Sequence, residues 1–501
     1  MKEKINKLRD YAELAQASYF YFDLKGYILQ ENETIVILNE LVSLSYNGKI
    51  AGKKEKVGQE YSFIGKGELN GEFGELQARN FSQRYEIKFH QPNTLSGFSA
   101  TLFYDKEKDK FVVGFRGTEV TKINDLVQDF ILSLNGNLQF SPLLEFLEQV
   151  DKIIKNENKS IIFVGHSLGG YLAQMALIYC DIKYKDKLSF SPNEIYTFNA
   201  PSIHGWNVPS IAINPNTIKI MQDLLGKYTI DVSEKITHIY DNGGVEIIAS
   251  AQYGASNALD IYTGKNDHSI KPLVNTLYFY SYLLELKENE DKIIKNNSLK
   301  ESLENLNHFM KNIQIYTETF VLKNNDINNK NFARKNGPLG LFRSSPEKIN
   351  HFEYFLSLIA TIMQETNDIL EVVGDSYYTS YKAPIISQTE IIDFILKAQE
   401  KEKYILILDK NDFNKYRKDC SFINNQENLA HKIAIGEFRI FIAVYKDMKC
   451  LENINNITKI YGYNSKSYKI KDQIWDERYL GGVCKISQAL YFSGKAKIGI
   501  I

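Results

Sequence analysis

The sequence predicts an α/β protein with a mainly parallel sheet in its first half and an α+β extension after it. Three observations predict this. Between residues 85 and 287, short runs rich in β-branched and aromatic residues alternate with longer runs of helical periodicity, the pattern of a layered parallel sheet. One junction, residues 161–180 (IIFVGHSLGGYLAQMALIYC), passes from an apolar run through a glycine turn straight into a helical segment. Beyond a polar run at residues 287–302 the pattern changes to long helical stretches and then to β-like runs.

In chain order, the first residues, MKEKINKLRDYAELAQASYFYFD, lack the apolar centre of a secretory leader. They read as an amphipathic helix with Leu8, Tyr11, Leu14 and Ala15 on one face. Residues 31–75 carry one apolar helical or strand segment, at 34–44, and a Gly/Lys-rich region around 65–74. Strands follow at residues 85–90, 97–105 and 110–117, the last two joined by the charged turn DKEKDK. Residues 125–134 and 143–154 have helical periodicity, and Pro142 suits a first helical turn. The strand of residues 161–164 comes next, then strands at 194–201 and 235–241 and an apolar-faced helix at 274–287. The unit closes near residue 288, which gives an expected domain of residues 1–288 and a second of 289–501. The second holds helices at 303–320, 352–373 and 390–402, a polar loop at 322–340, and strands at 404–409 and 438–447. No catalytic motif follows residue 290, so a scaffold or partner-binding role is expected there, with the protein partner unidentified.

Composition excludes several classes. Hydrophobic residues make up 44% and charged residues 24%, as in ordinary globular proteins, and the net charge is −1. No basic excess points to nucleic acid or, in bulk, to an anionic surface. Apolar stretches are too short to span a bilayer. Cys180, Cys420, Cys450 and Cys484 are far apart and show no zinc-site spacing, so free thiols in a reducing compartment, and no metal, are expected. A cytoplasmic location is the expectation from the lack of a leader, with signal-independent export as an effector the alternative.

The chemistry sits at Gly165-His166-Ser167-Leu168-Gly169-Gly170. A G-x-S-x-G turn between strand and helix is the setting of a nucleophile elbow: Ser167 takes strained backbone geometry, and Gly165 and Gly169 flank it where strand and helix nearly touch. Such a serine needs a base and an orienting acid, expected in the chain order Ser, acid, His. Of the histidines that follow, His238 falls inside a strand and His204 just after one, whereas His268 lies in a polar turn directly before an apolar helix, where the base belongs. Asp241 ends a strand before Asn242-Gly243-Gly244 and is the candidate acid; Asp223, Asp231, Glu246, Asp260 and Asp267 are rivals. Two oxyanion donors are expected: the backbone N–H of Leu168, and Thr118 in the loop after Arg116-Gly117.

At RGT (116–118), GHSLGG (165–170) and ITHIYD (236–241) the chain resembles the class 3, fungal-lipase-like family of α/β-hydrolases, over roughly residues 80–285. The blocks QPNTLSGFSATLFYD (91–105) and YAELAQASY (11–19) resemble bacterial members of that group. The resemblance implies an R-G-[ST] oxyanion loop followed by a nearby Asp, which Asp125 or Asp129 matches. It implies a lipid-like acyl ester, glyceride or phospholipid, as substrate, transient contact with a membrane surface, and no cofactor. The chain departs from the family at Asn199-Ala200-Pro201, where G-[SA]-P is usual, and after Asp241, where no proline follows. Residues 202–234 are also longer than a plain connection. Two other readings use the same residues: a non-catalytic interaction protein on a hydrolase shell, and a thioesterase or peptidase with the same triad.

Overall fold

The computed structural model describes residues 1–117, 140–183, 187–201, 232–241, 258–264, 268–284 and 298–316, and beyond them 391–393, 395–396, 404–408, 441–445, 467–470, 473–476 and 498–500. The chain divides into two compact units, residues 6–277 and residues 1–5 with 278–501.

The unit of residues 6–277 begins within helix α1 (Lys2–Ala17) and continues through β1 (Ile28–Leu29), α2 (Leu38–Val42), β2 (Ile50–Val57), β3 (Glu60–Glu68) and α3 (Glu75–Arg84). Next come β4 (Tyr85–Gln91), β5 (Ala100–Asp105), β6 (Lys110–Phe115), α4 (Phe140–Ile154), β7 (Ile161–His166) and α5 (Leu168–Ile178). It ends with β8 (Glu194–Phe198), β9 (Ile236–Asp241), β10 (Ala258–Ile261) and the start of α6 (Lys271–Leu283).

A seven-stranded sheet, ordered β10-β9-β8-β7-β6-β5-β4, forms its centre. Strands β6 to β10 are parallel, and β5 runs against both β4 and β6. The central strand β7 is buried at every residue, which is why it reads as an unbroken apolar run and not as an alternating one. Its side chains join Phe98, Val113, Phe115, Leu143, Phe146 and residues of α5 in one core. The sheet and its flanking helices make a mixed α/β fold of the α/β-hydrolase-like kind, as the sequence predicts.

Charge ties α1 to this core. Arg84, the last residue of α3, donates to Asp10 of α1 and Asp105 of β5 at 2.7 Å each. Asp10, though buried, is held below its ordinary range by Arg9 and Arg84. Removing one partner would strand a buried charge.

Three elements differ from the sequence reading. Strands β2 and β3 form a hairpin over residues 50–68, where the sequence suggests no element and only the start of its Gly/Lys-rich region at 65–74, because nearly all their side chains are exposed and give no period-two signal. Helix α3 also lies where no element was expected. Strand β10 pairs with β9 in parallel, so Asp241 does not end the last strand before His268, as the sequence suggested. ALDI has only four residues and is too short to show a pattern.

In the other unit, α7 (Leu299–Tyr316) is followed by β11 (Tyr404–Leu408), β12 (Phe441–Tyr445), β13 (Ser467–Ile470), β14 (Gln473–Asp476) and β15 (Ile498–Ile500). The sheet order β12-β11-β15 and the β13–β14 pair give this part its α+β character. The expected helix at 352–373 lies outside the described residues. No helix among the described residues is long and apolar enough to cross a membrane.

Candidate active site

Strands β6 to β10 run in one direction, so their carboxyl ends share one edge of the sheet. The candidate residues follow from that edge. Ser167 stands between β7 and α5 with φ 56° and ψ −129°, in the left-handed half of backbone space where a non-glycine residue costs about 1–3 kcal/mol. Packing enforces this. A Cβ on Gly165 would lie 2.3 Å from the carbonyl carbon and oxygen of Gly169, and one on Gly169 would lie 2.1 Å from the Phe115 carbonyl oxygen. The turn is pinned on the other side as well, since the Ser167 N–H donates to the Phe198 carbonyl at 2.9 Å. Leu168 opens α5, so its N–H is among the first-turn donors that no helix carbonyl can satisfy.

Asp241, 5% exposed, ends β9. Its carboxylate accepts the Thr263 hydroxyl at 2.5 Å and the Thr263 N–H at 3.4 Å. Its own N–H donates to Asn199 Oδ1 at 2.9 Å. Asn199 has φ 45°. Glycine adopts that left-handed conformation freely, and asparagine is among the side chains most tolerant of it.

His268 is half-buried, and its Nε2 is enclosed with no hydrogen-bond partner among the described residues. Burial pushes its imidazole down to about pKa 4, so the neutral form, with a free lone pair, prevails at neutral pH. Its ring centroid is 5.0 Å from that of His166, the residue beside Ser167. His166 is likewise held neutral, by burial first and then by His268.

Several residues of this edge escape sequence reasoning. Tyr19, just beyond α1, meets His166 Nδ1 through its hydroxyl at 2.8 Å. Burial keeps its phenol protonated, against the opposing pull of Arg116 and the Gly117 amide. The Arg116 guanidinium stacks on Tyr21 at 4.8 Å and donates to its hydroxyl at 3.2 Å. Asn70 clasps both ends of this segment, accepting from the Tyr21 N–H at 2.9 Å and donating to the Tyr19 carbonyl at 2.7 Å. The YAELAQASY block hinted at the segment; only the fold shows what it touches.

Thr118, Asp125, Asp129, His204, Asp223, Asp231, Glu246 and Asp267 lie outside the described residues. His238 sits in β9, bonded across the strand pair to the Thr197 hydroxyl at 2.8 Å, as a packed strand residue. Asp260 lies within β10 opposite Tyr240.

The fold and the serine turn define the class: residues 6–277 form an α/β-hydrolase-like domain. Residues 52–260 match the family model described as phospholipase-like, Tle-like phospholipase domain. A search of curated proteins finds no significant match. Among solved structures, the chain is similar to Lip2 lipase from Yarrowia lipolytica, with 16% identity over 52% of this chain and 79% of that one, at a TM-score of 0.27. The native Rhizomucor miehei lipase propeptide complex matches at 14% identity, 37% of this chain and 58% of that one, with a TM-score of 0.24. Lipase II from Rhizopus niveus matches at 13% identity, 38% and 72%, with a TM-score of 0.25. At these values the structural likeness transfers no activity and no residue role.

Proposed function

We propose that the domain is a serine hydrolase that cleaves carboxylic esters of lipids, of the phospholipase A or triacylglycerol lipase type. Ser167 Oγ attacks the ester carbonyl while His268 takes its proton. Asp241 holds the imidazole in the required tautomer, and the Leu168 N–H with Thr118 receives the oxyanion. His268 then returns the proton to the departing alcohol, and the acyl group rests on Ser167. Water, deprotonated by His268, releases the fatty acid and restores the serine. Every step is a proton transfer or an acyl transfer, so no cofactor enters. The lipid class is supported by the phospholipase-like match of residues 52–260.

The observation that carries the proposal is the backbone of Ser167: a non-glycine residue at φ 56°, held there by two glycines with no room for a side chain. Strain enforced so closely at a polar residue points to use of its hydroxyl. Purified full-length protein is expected to hydrolyse p-nitrophenyl esters and to release fatty acid from phospholipid, with Ser167→Ala lowering turnover about a thousandfold or more. Turnover by Ser167→Ala equal to that of the wild type refutes it. We further propose that the protein acts either in the cytoplasm or as an exported effector; toxicity on expression in a periplasm but not in a cytoplasm would select the second.

A further inference from the structure

Strand β10 is the outer strand of the seven-stranded sheet, and no step of the proposed chemistry falls on it. It pairs in parallel with β9, in a register that runs from Ala258↔His238 to Ile261↔Asp241. The ladder therefore ends level with the candidate acid, at the carboxyl edge of the sheet. Thr263 stands two residues past that end and five before His268.

The Thr263 side chain turns back onto the acid. It is buried at 2% exposure, and its hydroxyl donates to Asp241 Oδ2 at 2.5 Å. That distance falls in the short range of hydroxyl donors to a charged carboxylate. The Thr263 N–H reaches Oδ1 at 3.4 Å, a long contact that adds little. Neither bond belongs to the strand ladder, so strand pairing alone does not account for them.

Burial makes the hydroxyl matter. Asp241 is 5% exposed, and a carboxylate taken out of water needs donors to replace its lost hydration. Valine has the same branched shape as threonine, so packing alone does not call for a hydroxyl here. The branch also restricts the side-chain torsion, which keeps the hydroxyl aimed.

The backbone of Asp241 is fixed separately, by its N–H bond to Asn199 Oδ1 at 2.9 Å. Asn199 follows β8, the strand on the other side of β9. The acid is thus held from both neighbouring strands. Asn199 sets where its backbone stands, and Thr263 sets how its carboxylate is turned. A carboxylate offers about four acceptor sites, so the Thr263 bonds leave room for an imidazole N–H.

We infer that Thr263 is a positioning residue for the ester hydrolysis: its hydroxyl holds the Asp241 carboxylate in the orientation that receives His268, and so ties the outer strand to the catalytic centre. The inference rests on the Ser167, His268 and Asp241 reading of the site. In that mechanism Thr263 touches neither the substrate nor the reacting atoms. Its loss falls on kcat and not on ester binding.

The test uses the full-length protein and a soluble p-nitrophenyl ester. Thr263→Val is expected to lower kcat about tenfold to a hundredfold, the strength of one hydrogen bond to a charged group, with KM little changed. Thr263→Ser keeps the hydroxyl and is expected to keep most of the rate. Thr263→Ala is measured beside them, and thermal unfolding followed by circular dichroism separates loss of fold from loss of rate. A double-mutant cycle with Asp241→Ala then asks through which group Thr263 acts. With no carboxylate left to orient, Thr263→Val is expected to cost nothing further, whereas a residue that serves stability alone costs the same factor in both backgrounds.

A folded Thr263→Val with wild-type kcat overturns the inference. So do equal losses in Thr263→Val and Thr263→Ser, or the same loss with and without Asp241. A hydroxyl whose removal only unfolds the chain, in both Thr263→Val and Thr263→Ala, is structural and overturns it as well. Wild-type turnover in Ser167→Ala refutes the catalytic proposal and the inference with it. Turnover that needs Ser167 and Asp241 but is indifferent to Thr263 refutes the inference alone.

Discussion

Two glycine turns divide this domain. At the elbow, glycine is required by space: a Cβ on Gly165 or Gly169 would drive into backbone at 2.3 or 2.1 Å. At the tip of the β2–β3 hairpin, glycine is required by conformation: Gly58 has φ 69° with nothing within 4 Å of where its Cβ would stand. The first turn is locked by everything around it and holds a strained serine. The second is set by its own backbone and presents side chains to the outside. The contrast teaches where the molecule stores geometry and where it offers surface.

The largest expected effect comes from filling the crowded turn. Gly169→Ala must displace the Phe115 carbonyl and is expected to cost about 3 kcal/mol or more, read as a fall in Tm together with loss of ester turnover. A folded, active Gly169→Ala would mean that the turn is not locked.

Protonation sharpens the same contrast, because the histidines of the elbow are enclosed while the hairpin lysines are solvated. In the proposed mechanism neutral His268 is the base, and burial disfavours its cation, lowering its pKa to about 4. Turnover of a soluble ester is therefore expected to stay level as pH falls through 6.5, the ordinary histidine value, and to drop about tenfold per pH unit only below about 4. An acid limb centred near the ordinary value would show His268 to be solvated.

Tyr19→Phe tests the strut behind the elbow. Loss of the hydroxyl strands the buried Nδ1 of His166 and is expected to cost about 1–3 kcal/mol of stability. It is also expected to lower kcat more than it raises KM, because the hydroxyl bonds to His166 of the elbow. Gly58→Ala has the smallest effect, about 1 kcal/mol from the left-handed backbone, with ester turnover unchanged. Equal losses for Gly58→Ala and Gly169→Ala would erase the distinction between the two turns.

The comparison also explains what could be read from sequence. The strand–turn–helix at 161–180 is legible because β7 is buried on both faces and α5 packs at every position, so both are apolar throughout. The parallel sheet followed from the runs around it. The hairpin was illegible for the opposite reason: its strands bury almost nothing, and burial is what writes a period into a sequence. Ser167, Asp241 and His268 could be named as candidates from turn residues and chain order alone. Tyr19 could not, since its contact with His166 spans 147 residues and exists only once α1 is held against the sheet by Arg84. Asn199 looked like a departure from the family; its φ lies in the left-handed region that glycine and asparagine both tolerate.

The central claim is that Ser167 is an activated nucleophile, and a fluorophosphonate addresses it most directly. Incubation of the full-length protein with the probe, followed by intact-mass and peptide mass spectrometry, is predicted to give one covalent adduct per chain, on Ser167, blocked in Ser167→Ala and slowed in His268→Ala. A wild-type protein that remains unlabelled, or is labelled equally after Ser167→Ala, would contradict the account.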